Sequence, residues 1–360
     1  MKRRLPLISI IFCLSIPLFA QETVRMNAVK ANNYGVAYTL PKTSLVIEFT
    51  IKKTIFQRGD FYPYAQRYLN INNPITEDRI VYSIEDVHIE NAGIPNKENS
   101  FLVEFKSNSL EPYLFLTKEG LICSINAQPE FDTLPKQTNA TLQNKESDIN
   151  PRQFFTEEII MAGSTAKQAE LIAKQIYALR QSHSDILMGE AENMPPDGEA
   201  YKLVMTRLEE QQAALTSLFS GKTNDETWIE KVTIIPDKNN IDRKVVARFS
   251  SKLGLVDSDD LAGKPLYLSL KNKTPIQHEE LSERERQRME KKFSSGVVYN
   301  IPSKGILTID FEGETIHESE VDIVQFGSQE VLTKRMFDNL KKPISVIFYP
   351  HLGAIKQIIQ

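Results

Sequence analysis

The chain has 360 residues, with 43 basic and 47 acidic side chains and a formal net charge of −4 at pH 7. That balance argues against nucleic acid or an anionic lipid surface as the main partner, since both call for a clear excess of Lys and Arg. Past the first twenty residues no apolar run approaches the roughly 20 residues that span a bilayer, so no transmembrane segment is expected there.

Met1-Lys2-Arg3-Arg4 gives a basic start, Leu5 to Phe19 an apolar run, and Ala20 a small residue just before Gln21-Glu22. This is the layout of a secretory signal peptide over residues 1–20, cut after Ala20. The mature chain is therefore expected to be exported, to the periplasm or in association with an outer membrane. Losing Lys2, Arg3 and Arg4 would take the net charge from −4 to −7. Cys13 would leave too. The bulky Ile10-Ile11-Phe12 before it is unlike the small residue that precedes a lipoprotein cysteine, so lipidation is not expected. Cys123 alone cannot form an internal disulfide, and the fold must rest on its core.

Residues 21–130 read as an N-terminal β-rich domain. Leu45, Ile47, Phe49 and Ile51 alternate with more polar neighbours, and Ile80, Tyr82 and Ile84, then Phe101, Val103 and Phe105, repeat the period of two. Ile71-Asn72-Asn73-Pro74 and the stretch from Asn91 to Lys97 read as turns between strands. A polar stretch with little apolar period, 131–150, reads as a linker. Over 151–222 the period becomes helical: Ala166, Ala169, Ile172, Ala173, Ile176 and Leu179 share a face behind a Ser164 or Thr165 N-cap. Met194-Pro195-Pro196-Asp197-Gly198 breaks the helix, with Asp197 placed to cap a second one. That helix carries Tyr201, Val204, Leu208, Leu215 and Phe219 and stops at Gly221, so the pair makes an antiparallel hairpin. From 223 to 360 the β period returns as a C-terminal β-rich domain, interrupted by one charged helix from His278 to Lys292 after Thr274-Pro275.

Two segments echo each other. Gly35-Val36-Ala37-Tyr38-Thr39-Leu40-Pro41 matches Gly296-Val297-Val298-Tyr299-Asn300-Ile301-Pro302. Downstream, Phe115 to Ile125 matches Phe348 to Ile358, with Gly120 opposite Gly353 and Ile122 opposite Ile355. The fold class expected is α+β: two sandwich-like β modules, the second a duplicate of the first, flanking a helical hairpin.

Catalytic patterns are mostly missing. Ser220-Gly221-Lys222-Thr223 resembles the end of a phosphate loop, but Thr216 stands where a Gly is needed and the segment closes a helix. His278-Glu279-Glu280 has no second His four residues on. His317-Glu318-Ser319-Glu320-Val321-Asp322 sets acids on one strand face, which reads as the wet side of a sheet. Asp257-Ser258-Asp259-Asp260 opens like a calcium loop, then places Leu261 and Ala262 where an acid and the turn glycine belong. Arg58-Gly59-Asp60 is too short to carry meaning. The one cluster worth following is Phe61, Tyr62, Tyr64, Arg67 and Tyr68, whose aromatics form either a sugar- or protein-binding platform or, on a loop shaped by Pro63, a cover over the sheet edge.

Tyr38-Thr39-Leu40-Pro41, the stretch from Phe61 to Leu69, Met194 to Ala200, Leu218 to Lys222 and Phe348 to Ile358 together resemble an uncharacterised exported family of Bacteroidales-type bacteria, a domain of unknown function. The resemblance covers nearly the whole chain after the leader. It implies a Gram-negative envelope setting and supplies no catalytic residues. In that setting Asp132-Thr133-Leu134 is similar to a short O-glycosylation signal. The expected function is a non-catalytic binding or scaffolding protein of the envelope, needing no cofactor or metal, with an envelope protein or a glycan as partner. The alternatives are a periplasmic hydrolase of polysaccharide or peptide using carboxylates assembled by the fold, and a sugar-binding module.

Overall fold

A computed structural model describes residues 21–25, 35–105, 114–128, 142–143, 149–196, 198–274, 282–333, 336 and 344–359. The leader, most of the 131–150 linker and Asp132-Thr133-Leu134 lie outside the described residues.

β1 (Gln21–Arg25) precedes the long β2 (Gly35–Gln57). After α1 (Ala65–Leu69), β3 (Arg79–Phe105) returns antiparallel along β2. β4 (Leu114–Leu116) and β5 (Ile122–Ile125) make a small hairpin, followed by the two-residue β6 (Leu142–Gln143). Next come α2 (Glu157–Ile160), α3 (Thr165–Met188) and α4 (Glu199–Ser220). β7 (Lys222–Ile234) pairs along β2, and β8 (Ile241–Ser250), β9 (Gly254–Val256) and β10 (Lys264–Asn272) begin a second sheet. After α5 (Glu283–Phe293), β11 (Gly296–Phe311) and β12 (Glu314–Thr333) form another long hairpin, and β13 (Ser345–Tyr349) and β14 (Ala354–Ile359) another small one.

These strands make three antiparallel sheets, ordered β1-β3-β2-β7-β6, β12-β11-β10-β8-β9 and β14-β13-β5-β4. The first two face each other. Leu45, Ile47, Phe49 and Ile51 point inward from β2 and meet Leu266, Leu268 and Leu270 of β10 and Leu307 and Ile309 of β11. All nine are fully buried, each contributing on the order of 2 kcal/mol by leaving water. A second core lies where the far ends of both long hairpins meet the small sheet, around Tyr38, Phe101, Ile122, Val298, Val346 and Phe348. Both cores draw on the 21–130 and 223–360 regions. The helical hairpin separates these regions along the chain only.

The two halves match in geometry as well as in sequence. Each long hairpin carries a large bulge near the matching segment: Leu40 stands opposite Asn96 to Asn99, and Pro302 stands opposite Val324 to Gly327. Each carries a second, one-residue bulge on its return strand, at Glu85 and at Ile316. In the small hairpins the extra residue is Cys123 in one and Lys356 in the other, which are aligned positions. Thr39 N donates to Gly120 O at 2.9 Å, and its counterpart Asn300 N donates to Gly353 O at 2.9 Å. Both glycines have positive φ, +82° and +63°, which their turns require.

Several expectations need correction. Asn91 to Lys97 does not end a strand: β3 runs through it and absorbs the excess residues as the bulge that starts at Asn96. Ile80 is 47 % exposed and takes no part in the core, while Tyr82 and Ile84 pack on it as expected. The charged helix begins at Glu283, behind a capping box formed by Ser282 and Glu285, and His278 lies outside the described residues. Ser164 caps α3 by accepting from Lys167 N at 3.2 Å; Gly198 stands at the N-cap of α4, and Asp197 lies outside the described residues.

Tyr38 is one of the polar links between the halves. Its Oη accepts from Val298 N at 2.8 Å and donates to Val298 O at 3.2 Å. Burial raises its phenol pKa, against a smaller opposing effect of the bond to Val298. The folded chain therefore keeps this proton after an unfolded tyrosine, near pH 10, has lost it. The stability it contributes is complete below about pH 10 and falls as pH rises further, by up to about 1.4 kcal/mol per pH unit. Tyr38→Phe is expected to cost about 1–2 kcal/mol near neutrality, because Val298 N loses its acceptor, and to flatten that alkaline loss. Urea unfolding at about pH 8 and about pH 11 checks both effects.

Candidate functional site

The aromatic cluster forms the seat of the helical hairpin. Phe61 is buried against Phe219, ring centroids 5.7 Å apart, in a core with Ala65, Leu69, Ile159, Ile172, Ile176 and Leu215. Tyr64 and Tyr68 are half-buried against that core, their rings 6.0 Å apart and inclined by 30°. Tyr177 Oη donates to Tyr68 O at 2.9 Å. Tyr62 is half-buried under the Arg58 guanidinium, and Arg67 is exposed over the Tyr68 ring. In Arg58-Gly59-Asp60 only the glycine is buried: a side chain at Gly59 would stand 2.4 Å from Leu218 O, and Phe61 N donates to that same oxygen at 2.8 Å. Asp60 pairs with Arg152 at 3.2 Å.

Only the near half of the hairpin is seated. The buried positions of α3 cluster at Ala169 to Ile176, with Ile186 buried as well near its far end, and those of α4 at Ala214 to Phe219. Towards the free end the apolar side chains continue but lose their cover. Leu187 is 61 % exposed, Met188 69 %, Met194 47 % and Leu203 59 %, and Val204, expected inside, is exposed as well. Glu190, Glu192, Asp197 and Glu199 make this end acidic in sequence, with Lys202 the nearest base. The period of apolar residues along α4 was visible in the sequence. That Leu203 and Val204 in its first turns stay exposed was not.

Other candidate motifs have local partners. Gly221 closes α4 with φ +85°, donating to Ser217 O at 2.8 Å, so the phosphate-loop lookalike is a helix end. On the acidic row of β12, Glu320 pairs with Lys273 at 2.6 Å and Asp322 with Lys304 at 3.0 Å, while His317 Nε2 lies 3.1 Å from Ser319 Oγ. The Asp257 loop is stapled by Arg248, which donates to Ser258 O at 2.9 Å and Gly263 O at 3.1 Å. Asp260 Oδ1 accepts from Ala262 N, within the same loop. Cys123 is buried, and burial pushes its thiol pKa up, away from thiolate chemistry at neutral pH. Among the described residues no three His, Cys, Asp or Glu side chains converge in a way that would hold a metal ion, and no helix is long and apolar enough to cross a membrane.

The geometry defines a class first: a two-sheet β-sandwich of paired long hairpins, closed at one end by a small sheet and carrying a helical hairpin with an uncovered apolar end. The chain belongs to the family described as Domain of unknown function (DUF4831), whose model matches residues 34–356. No curated protein and no solved structure matches it.

Proposed function

We propose that this is an exported, non-catalytic binding or scaffolding protein of a Gram-negative, Bacteroidales-type cell envelope, and that the free end of the helical hairpin is its contact surface for a partner protein. The observation that carries the reading is the run of exposed Leu187, Met188, Met194 and Leu203 on a hairpin anchored only at its base. Exposed apolar side chains grouped in this way cost solubility unless something covers them. The acids around them disfavour an anionic lipid surface and favour a protein with a basic rim. Export is supported by the basic start, apolar run and small Ala20 of the leader sequence.

The test is mild crosslinking in a native envelope fraction, comparing the natural chain with Leu187→Glu and Leu203→Glu together. Both sites are exposed, so thermal unfolding is expected to change by no more than about 0.5 kcal/mol. A reproducible crosslinked partner is expected with the natural chain and none with the variant. Recovery of the same partner by both chains, or of the protein in the cytoplasm, would overturn the reading.

A further inference from the structure

A cleft of about 510 Å³ opens between the two large sheets, away from the helical hairpin. It arises from the duplication: the one-residue bulges of the two long hairpins, at Glu85 and Ile316, both line it. A bulge bends its strand, so two of them facing across the sandwich part the sheets at this end. Val87, Phe249 and Phe311 form an apolar wall, with the two phenyl rings edge-to-face at 5.8 Å. Around the mouth stand three carboxylates, Glu85, Asp86 and Glu312, and one ammonium, Lys264, which is ion-paired with Glu312. Ser83 Oγ donates to Glu85 Oε1 at 2.7 Å and orients that carboxylate. Lys52, itself ion-paired with Asp225, is near enough to act electrostatically on Glu85, while Asp86 makes no ion pair among the described residues, so carboxylates outnumber ammonium groups beside the aromatic wall.

We propose that this cleft binds an organic ammonium ion carried on an apolar body, either a free amine or a lysine side chain beside an apolar residue of a polypeptide. The volume suits a small ligand, the wall takes the apolar body, and ring faces and carboxylates both favour a cation. A neutral ligand would gain nothing from the mouth and an anion would be repelled. The site is independent of the hairpin surface, so either reading can fail alone.

Titration of the purified protein with phenethylammonium, followed by the methyl resonances of Ile84 and Ile316, tests it. Saturable shifts are expected with phenethylammonium, weaker ones with neutral 2-phenylethanol and none with phenylacetate. Glu85→Gln with Asp86→Asn should weaken binding about tenfold. Lys264→Met, which frees Glu312, should strengthen it, an effect that a merely structural role would not produce. Tighter binding of N-acetyl-Phe-Lys-amide than of phenethylammonium would assign the ligand to a polypeptide, and weaker binding to a free amine. Equal binding of 2-phenylethanol, shifts that spare Ile84 and Ile316, or a Lys264→Met protein no tighter than the natural one would overturn the proposal.

Discussion

Asn300→Ala is expected to lose about 3 kcal/mol of folding free energy, read as a lower urea midpoint at unchanged slope. Asn300 is buried where three elements meet. Its Nδ2 donates to Pro41 O at 3.2 Å and to Leu352 O at 2.9 Å, and its Oδ1 accepts from Gln329 Nε2 at 3.3 Å. One amide thus ties β2, the β13–β14 turn and β12 together. Truncation strips these partners of an enclosed hydrogen bond and leaves a void beside them, and the two costs add. The matching position in the other half gives the control. Thr39 is half-buried and its hydroxyl meets only Ser100 Oγ, at 3.0 Å, so Thr39→Ala should cost under about 1 kcal/mol. Equal losses at the two sites would show that the Asn300 side chain is not the clamp.

Gly93→Ala should be comparably damaging, by about 3 kcal/mol, for a steric reason. A Cβ at this position would stand 2.4 Å from both Cα and O of His351. These are backbone atoms, and no rotamer change relieves the clash. The β13–β14 turn would have to lift off β3, carrying Leu352 and Gly353 away from Asn300. Gly163→Ala, with no atom within 4 Å of the added carbon, should stay within about 0.5 kcal/mol of the natural chain. A thermal melt of both variants decides the matter. A Gly93→Ala protein as stable as Gly163→Ala would mean that the turn is free to move.

Gly93 also shows where the sequence stops being readable. Gly93 and Pro95 between polar residues look like a turn, because local punctuation is all that a linear pattern displays. In the fold they serve a strand that must pass close to another backbone. The period-two faces at Leu45 to Ile51 and at Phe101 and Val103 were legible, since burial on one face dictates them. The echo of Gly35 to Pro41 in Gly296 to Pro302 pointed to equivalent strands, and matched bulges and matched hydrogen bonds bear that out. What could not be read was the pairing of β2 with β7 and of β5 with β13, which decides that the halves interlock. The aromatic cluster was visible as a cluster, but its role as the seat of the hairpin depends on α3 and α4 arriving from elsewhere. The cleft between the sheets leaves no local signal, because its walls come from β3, β8 and β11, which lie far apart along the chain.

That interlocking has a kinetic side. Tyr38 finds its partner 260 residues further along the chain, and Thr43 finds Gln325 282 residues further along. Neither core can close until β11 and β12 have emerged, so a partial chain has strands with nothing to bury them against. Such high contact order makes for late, slow folding. On the proposed export route, a design in which the two β cores stay open until the last quarter has arrived would keep those strands unpaired while the chain crosses a membrane.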